Sequence, residues 1–141
     1  MESQISNAIE NGAICHIGGG VIDNHIEPTL LTGVSRNADC FNSETFGPIC
    51  PIYKFSQEAE AVSFANEADV GLAGYFYSRD NAQVWRVAES LEVGMVGINT
   101  GAISAAEGPF GGVKKSGLGR EGSTIGTEEF LETKYMCIGG I

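Results

Sequence analysis

The chain has 141 residues, 43% of them hydrophobic and 18% charged, with 18 acids against 8 bases and a formal charge of −10. That composition is globular, not disordered, with room for one domain and a moderate core. The acidity argues against a nucleic-acid or acidic-membrane partner, since Lys114-Lys115 is the only basic cluster and is only a pair. Met1-Glu2-Ser3-Gln4 has neither the basic nor the apolar region of a signal peptide, and no apolar run approaches the roughly 18 residues of a membrane span. The expectation is a chain without a membrane segment. Cys15, Cys40, Cys50 and Cys137 show no CxxC or Cys/His metal spacing, so reduced thiols in the cytoplasm and no metal site are expected.

In chain order, Ile5, Ala8 and Ile9 form a helical stripe over residues 3–11, with Gly12 as the stop. A strand is predicted over 13–17 and ends at Gly18-Gly19-Gly20. No GKS or GKT follows those glycines, and they read as a plain turn in preference to a phosphate loop. His16 and His25 stand apart from each other and from any carboxylate cluster. A strand over 26–31 would take an edge position because of Pro28. The next strand covers 49–55. Ala61, Val62, Ala65 and Ala68 then mark a helix over 57–68, with Ser56 as N-cap.

A strand over 72–78 puts Tyr75 and Tyr77 on one face. The helix over 80–92 carries Val84, Val87, Ala88 and Leu91 at helical spacing, with Asp80 and Gln83 at capping-box positions. Trp85 beside that stripe reads as core or domain packing and not as a catalytic group. With a strand over 95–98, the middle of the chain spells β-α-β-α-β, the pattern of parallel strands joined by crossover helices. After Asn99 the chain becomes glycine-rich as far as Gly122. A segment that loses so much backbone entropy on ordering must be held from outside, and a loop at the carboxyl end of a parallel strand is where α/β proteins bind small molecules. Gly117, Gly119 and Gly122 spell G-x-G-x-x-G, but without a strand before or a strong helix after; it is not a dinucleotide fingerprint. One or two helical turns over 125–131 and a terminal strand over 134–138 complete the reading. The terminal strand has a free edge unless something covers it.

Glu44-Thr45-Phe46-Gly47-Pro48, an acid and an aromatic before a Gly-Pro turn, is an ordinary turn or a site on composition alone. Together with Glu27-Pro28-Thr29-Leu30, Gly71-Leu72-Ala73-Gly74-Tyr75-Phe76, Gly94-Met95-Val96-Gly97-Ile98-Asn99, Pro109-Phe110-Gly111-Gly112-Val113-Lys114 and Ser116-Gly117-Leu118-Gly119-Arg120-Glu121-Gly122, it makes the chain resemble the NAD(P)-dependent aldehyde dehydrogenases, and among them the succinate-semialdehyde dehydrogenases. The resemblance runs over the whole chain. It implies an α/β fold: residues 1–133 as the C-terminal part of the catalytic domain, with parallel β-α-β-α-β units, and 134–141 as an oligomerisation strand.

A full family member is much longer, and its cysteine nucleophile, general-base glutamate, oxyanion asparagine and cofactor-contacting lysine would all lie upstream of this segment. The resemblance therefore implies an oxidoreductase that converts succinate semialdehyde to succinate with NAD or NADP in the complete enzyme. This chain alone would be inactive, assign no catalytic residue and bind little or no cofactor. The alternative is a non-catalytic oligomerising or scaffold fragment. By resemblance, Glu44 and Phe46 contact the nicotinamide ribose, while Ser104 and Phe110 contact the aldehyde substrate. Lys134-Tyr135-Met136-Cys137-Ile138 joins subunits of a homo-oligomer. The location implied is cytoplasmic, or mitochondrial for a eukaryotic precursor. Ser43, Thr100 and Ile103-Ser104-Ala105 depart from the pattern of the succinate-semialdehyde enzymes, which bears on substrate more than on family.

Overall fold

The structure is a computed structural model that describes residues 1–140. It comprises two compact units, residues 1–56 and the part from Gln57 onward. In the first, helix α1 (Glu2–Glu10) buries Ile5 and Ala8. Strands β1 (Ile14–Ile17), β4 (Thr29–Thr32) and β5 (Ile49–Ile52) form a sheet in the order β1-β4-β5, antiparallel between β1 and β4 and parallel between β4 and β5. Leu31, fully buried, sits in a core with Ile5, Ala8, Val34, Ala38 and Ile49.

The strand expected over 26–31 is in fact two elements. Strands β2 (Val21–Ile22) and β3 (His25–Ile26) pair as a hairpin, and β4 starts only at Thr29. This makes β4 a central strand and not an edge. Pro28 lies just outside the ladder, so its missing N–H costs no sheet hydrogen bond. The glycine triplet is a turn lashed to the start of β4 and the residues before it: Gly19 N donates to Thr29 Oγ1 (2.9 Å) and Gly20 N to Glu27 Oε2 (3.1 Å). A short helix, α2 (Asp39–Asn42), has no periodic signal in the sequence and is anchored by Asp39 N donating to Asn7 Oδ1 (2.9 Å).

The second unit contains α3 (Glu58–Asn66), β6 (Val70–Gly71), β7 (Ala73–Phe76), α4 (Asn81–Ser90), β8 (Met95–Ile98), β9 (Val113–Lys114) and a 3-10 turn, Glu128–Phe130. β7-α4-β8 closes a parallel β-α-β unit, and β6 pairs antiparallel with β9. The fold is thus α/β, with mixed sheets that contain parallel pairs. The cap of α3 falls on Gln57, one residue after the expected Ser56. Asp80 caps α4 by accepting from Ala82 N (2.9 Å), but Gln83 does not close the expected box. Its side chain instead accepts from Ser78 Oγ (2.6 Å) and donates to Glu58 (2.9 Å). Trp85 is 64% exposed and is not in this unit's core: the helix buries Val87, and Trp85 lies off that stripe.

The expected strand over 134–138 is not formed within the chain. The stretch from Leu131 to Gly140 has no regular structure, and Tyr135 is 85% exposed. A strand needs an edge to pair with, and this stretch has no ladder among the described residues. The last residue of the expected 134–141 arm lies outside them. No helix among the described residues is long and apolar enough to cross a membrane.

Helices α3 and α4 are joined by Arg86, whose Nε and Nη2 donate to Glu58 Oε1 and Oε2 at 2.6 and 2.8 Å. The Arg86 hydrogen bonds, helped by Gln83, hold the Glu58 carboxyl at about 2, below its ordinary 4.5. A depressed carboxylate stabilises the fold above its ordinary range, and the benefit is lost as pH falls from about 4.5 towards 2. Thermal melts across that window should therefore show the native chain losing Tm faster than Glu58→Gln, which has no carboxylate to protonate. Parallel losses in both would place the acid sensitivity elsewhere.

Candidate functional site

The parallel strands β7 and β8 end side by side, and Asn99 fastens the ends together. Its Nδ2 donates to Ser78 O (2.8 Å) while its Oδ1 accepts from Ser78 N (2.9 Å). Asn99 has φ 56, a left-handed conformation that asparagine tolerates better than most residues. The chain is thereby turned sharply out of the sheet into the loop 100–112, at the carboxyl end of a parallel pair.

Several contacts hold the glycine-rich return. Phe110 and Glu121 exchange two backbone hydrogen bonds (2.8 and 2.7 Å). Arg120 Nη1 donates to Gly112 O and Gly119 O, both at 2.7 Å. Lys114 Nζ donates to Asn66 O (2.8 Å) and Ala68 O (2.9 Å), at the C-terminal end of α3, and pairs with Glu92 (2.7 Å). A cation at that end satisfies carbonyls the helix leaves free and suits its dipole. The loop also comes close to Gly94, just before β8: a Cβ there would lie 2.0 Å from Gly111 O.

Together these elements enclose a concavity of about 220 Å³. Leu72, Ala73, Tyr75 and Met95 line it from the strand side, and Gly101 to Ser104 with Phe110 from the loop. Ser104 and Phe110 thus share one wall space. No side chain that is ionised at neutral pH lines it, and no hydrogen bond engages the Ser104 hydroxyl among the described residues. The lining can enclose a short apolar chain and offer hydroxyls to a polar end; it cannot neutralise a charge.

Glu44 and Phe46 lie in the first unit, on the turn between α2 and β5. Gln4 Nε2 donates to Glu44 O (3.3 Å), and Thr29 N to Pro48 O (2.8 Å). The Glu44 side chain is exposed and the Phe46 ring is 86% exposed. Beside the turn is an apolar concavity of about 380 Å³, formed by Ile17, Pro28 to Leu30 and Gly47 to Cys50. The exposed Glu44 carboxylate can accept hydrogen bonds, and the exposed Phe46 ring can cover an apolar face.

Sequence motifs point to Ser104 and Phe110 but not to Tyr75 and Met95 as walls, nor to Asn99, Lys114 and Arg120 as holders. Alternation along β7 places Ala73 and Tyr75 on one face, a signal that was present. The tertiary contacts of Lys114 and Arg120 leave no local trace.

A profile of the aldehyde dehydrogenase family matches residues 1–136. The chain belongs to the aldehyde dehydrogenase family. It is 57% identical over 147 residues to the mitochondrial succinate-semialdehyde dehydrogenase of Rattus norvegicus, covering 100% of this chain and 28% of that protein. It is 51% identical over 144 residues to the glutarate-semialdehyde dehydrogenase of Pseudomonas aeruginosa, covering 100% of this chain and 30% of the relative. Among solved structures, an NADP dependent enzyme of E. coli superposes with a TM-score of 0.94 at 51% identity, over 98% of this chain and 29% of that one. The chain therefore spans under a third of the length of each of these proteins.

Against that family background, the four thiols have ordinary surroundings. Cys40 is buried, with its Sγ 3.7 Å from Tyr53 Oη. Burial, with Cys40 adding to it, pushes the Tyr53 phenol up. Cys15 Sγ donates to Ile17 O (3.4 Å) and Gly18 O (3.6 Å). Cys50 and Cys137 are exposed, and neither thiol has a hydrogen bond among the described residues. A thiolate nucleophile needs a base, a cation or a helix terminus beside it. His16 Nε2 lies 2.7 Å from Thr32 Oγ1, and among the described residues no three His, Cys, Asp or Glu side chains gather as a metal site.

Proposed function

We propose that this chain is a wall-forming part of an NAD(P)-dependent dehydrogenase that oxidises ω-oxo acids, succinate semialdehyde foremost, to the dicarboxylate. The observation that carries the reading is the joint placement of Ser104 and Phe110 around one small concavity without an ionised lining group. Ser104 gives one hydrogen bond to the distal carboxylate, and Phe110 encloses the methylenes. Cations from the rest of the enzyme neutralise that carboxylate. The reacting thiolate also comes from outside this chain, since among the described residues no base or cation is hydrogen-bonded to any of its four thiols. Glu44 accepts from the nicotinamide ribose hydroxyls and Phe46 packs against the sugar. NAD or NADP, when bound, supplies the hydride acceptor. The names of the two relatives, which specify four- and five-carbon semialdehydes, support the substrate class, and the NADP dependence of the E. coli enzyme supports NADP as one cofactor. We assign the activity to the cytoplasm or the mitochondrion.

The test is to exchange this chain for the matching part of the Rattus norvegicus relative and then introduce Ser104→Ala. Losing a hydrogen bond to a charged group costs roughly 1.5–3 kcal/mol of transition-state binding. kcat/KM for succinate semialdehyde should fall accordingly, while an uncharged aldehyde of similar length is little affected. Equal losses on both would make Ser104 a support of the loop.

A second reading, self-association through residues 134–138, is supported by the exposure of Tyr135, Met136 and Ile138 on a stretch with no partner strand among the described residues. β-Augmentation between copies would supply one. Deleting residues 134–141 should lower the oligomeric state measured by light scattering. A monomer both before and after deletion would show the segment idle.

A further inference from the structure

β7 and β8 pair in a register that places Tyr75 beside Gly97. A methyl group at Gly97 would lie 2.4 Å from Tyr75 Cδ1, 2.8 Å from Cε1 and 2.9 Å from Ile103 Cγ2. The phenol ring therefore lies across the bare backbone of Gly97, with Ile103 of the loop against the same spot. Gly97 is buried, so the ring rests on main chain and not on a side chain that could move aside. Tyr75 remains 50% exposed on its other side, where it faces the concavity shared with Ser104 and Phe110. Its hydroxyl has no hydrogen-bond partner among the described residues, so the ring is held by packing alone.

We propose that Tyr75, seated on Gly97, fixes the chain length of the ω-oxo acid that the concavity accepts. The inference rests on the reading that this concavity takes such an acid. A substrate fastened at its aldehyde carbon and at its carboxylate has one free variable, the number of methylenes between them. A flexible side chain in the wall would yield to an extra methylene; an aromatic ring backed by main chain does not. One methylene in an apolar pocket is worth about 10- to 200-fold in kcat/KM, and succinate and glutarate semialdehydes differ by one.

In the exchanged full-length enzyme described above, Tyr75→Ala should shift the ratio of kcat/KM for succinate against glutarate semialdehyde at least about tenfold towards the longer substrate. Tyr75→Phe keeps the ring and should keep the ratio. A generally loosened fold would depress both substrates together and leave the ratio where it was. If the unsubstituted exchange enzyme prefers an uncharged aldehyde over both acids, the ω-oxo acid reading itself fails. If it prefers the acids but Tyr75→Ala and Tyr75→Leu both leave the ratio unchanged, the chain-length role of Tyr75 is overturned.

Discussion

Given succinate semialdehyde with NAD or NADP, the purified chain should produce no reduced cofactor above a boiled control. Oxidation of an aldehyde in this reading starts with thiolate attack, which creates the carbon centre from which hydride leaves. The Cys40 thiol is buried beside a tyrosine, the Cys15 thiol is turned to two carbonyls, and the exposed Cys50 and Cys137 thiols have no hydrogen bond among the described residues. Loss of the nucleophile from an acyl-transfer enzyme costs about a million-fold, enough to bury the rate in the background. The exchange into a full-length relative is the positive control and should restore turnover. Activity in the isolated chain that disappears with Cys50→Ser would assign the nucleophile to β5.

The largest expected effect on stability comes from a single methyl group at Gly94. Its nearest neighbours would be Gly111 O at 2.0 Å, with Gly111 C and Gly112 Cα at 2.8 Å. All three are backbone, so relief requires the loop to lift away from β8. Overpacking costs typically 1–3 kcal/mol where side chains can adjust; here we expect about 3 kcal/mol. A chain of this length loses roughly 2–4 °C per kcal/mol, so Gly94→Ala should lower Tm by about 6–12 °C. Gly101→Ala is the control, because a Cβ at Gly101 meets nothing within 4 Å. Equal melting of the two variants would show that the loop does not rest on the strand.

The elements that were legible in the sequence are those fixed locally. β8 matches its expected bounds, and α1 and α4 differ from theirs by one or two residues, because apolar periodicity and an Asp cap are local signals. What was missed depends on distant partners. α2 stands on Asn7, β4 is central because β1 and β5 flank it, and residues 134–138 form no strand without an edge. The site divides in the same way. Ser104 and Phe110 came from motif resemblance; that they line one space depends on the Phe110–Glu121 bridge closing the loop. Tyr75 was seen as a strand residue, but its seat on Gly97 is a cross-strand fact.

The Lys114 cap on α3 also bears on the order in which the molecule assembles. Its bonds to Asn66 and Ala68, like the pairing of β6 with β9, join residues more than 40 positions apart. Such closures are slow, because the intervening chain must surrender its freedom before any contact rewards it. The β7-α4-β8 hairpin-like unit can form without them; the glycine-rich wall cannot. The concavity is thus expected to form late in folding and to open before the strands beneath it under native conditions. Its amides would exchange with solvent deuterium well before those of the strands beneath it.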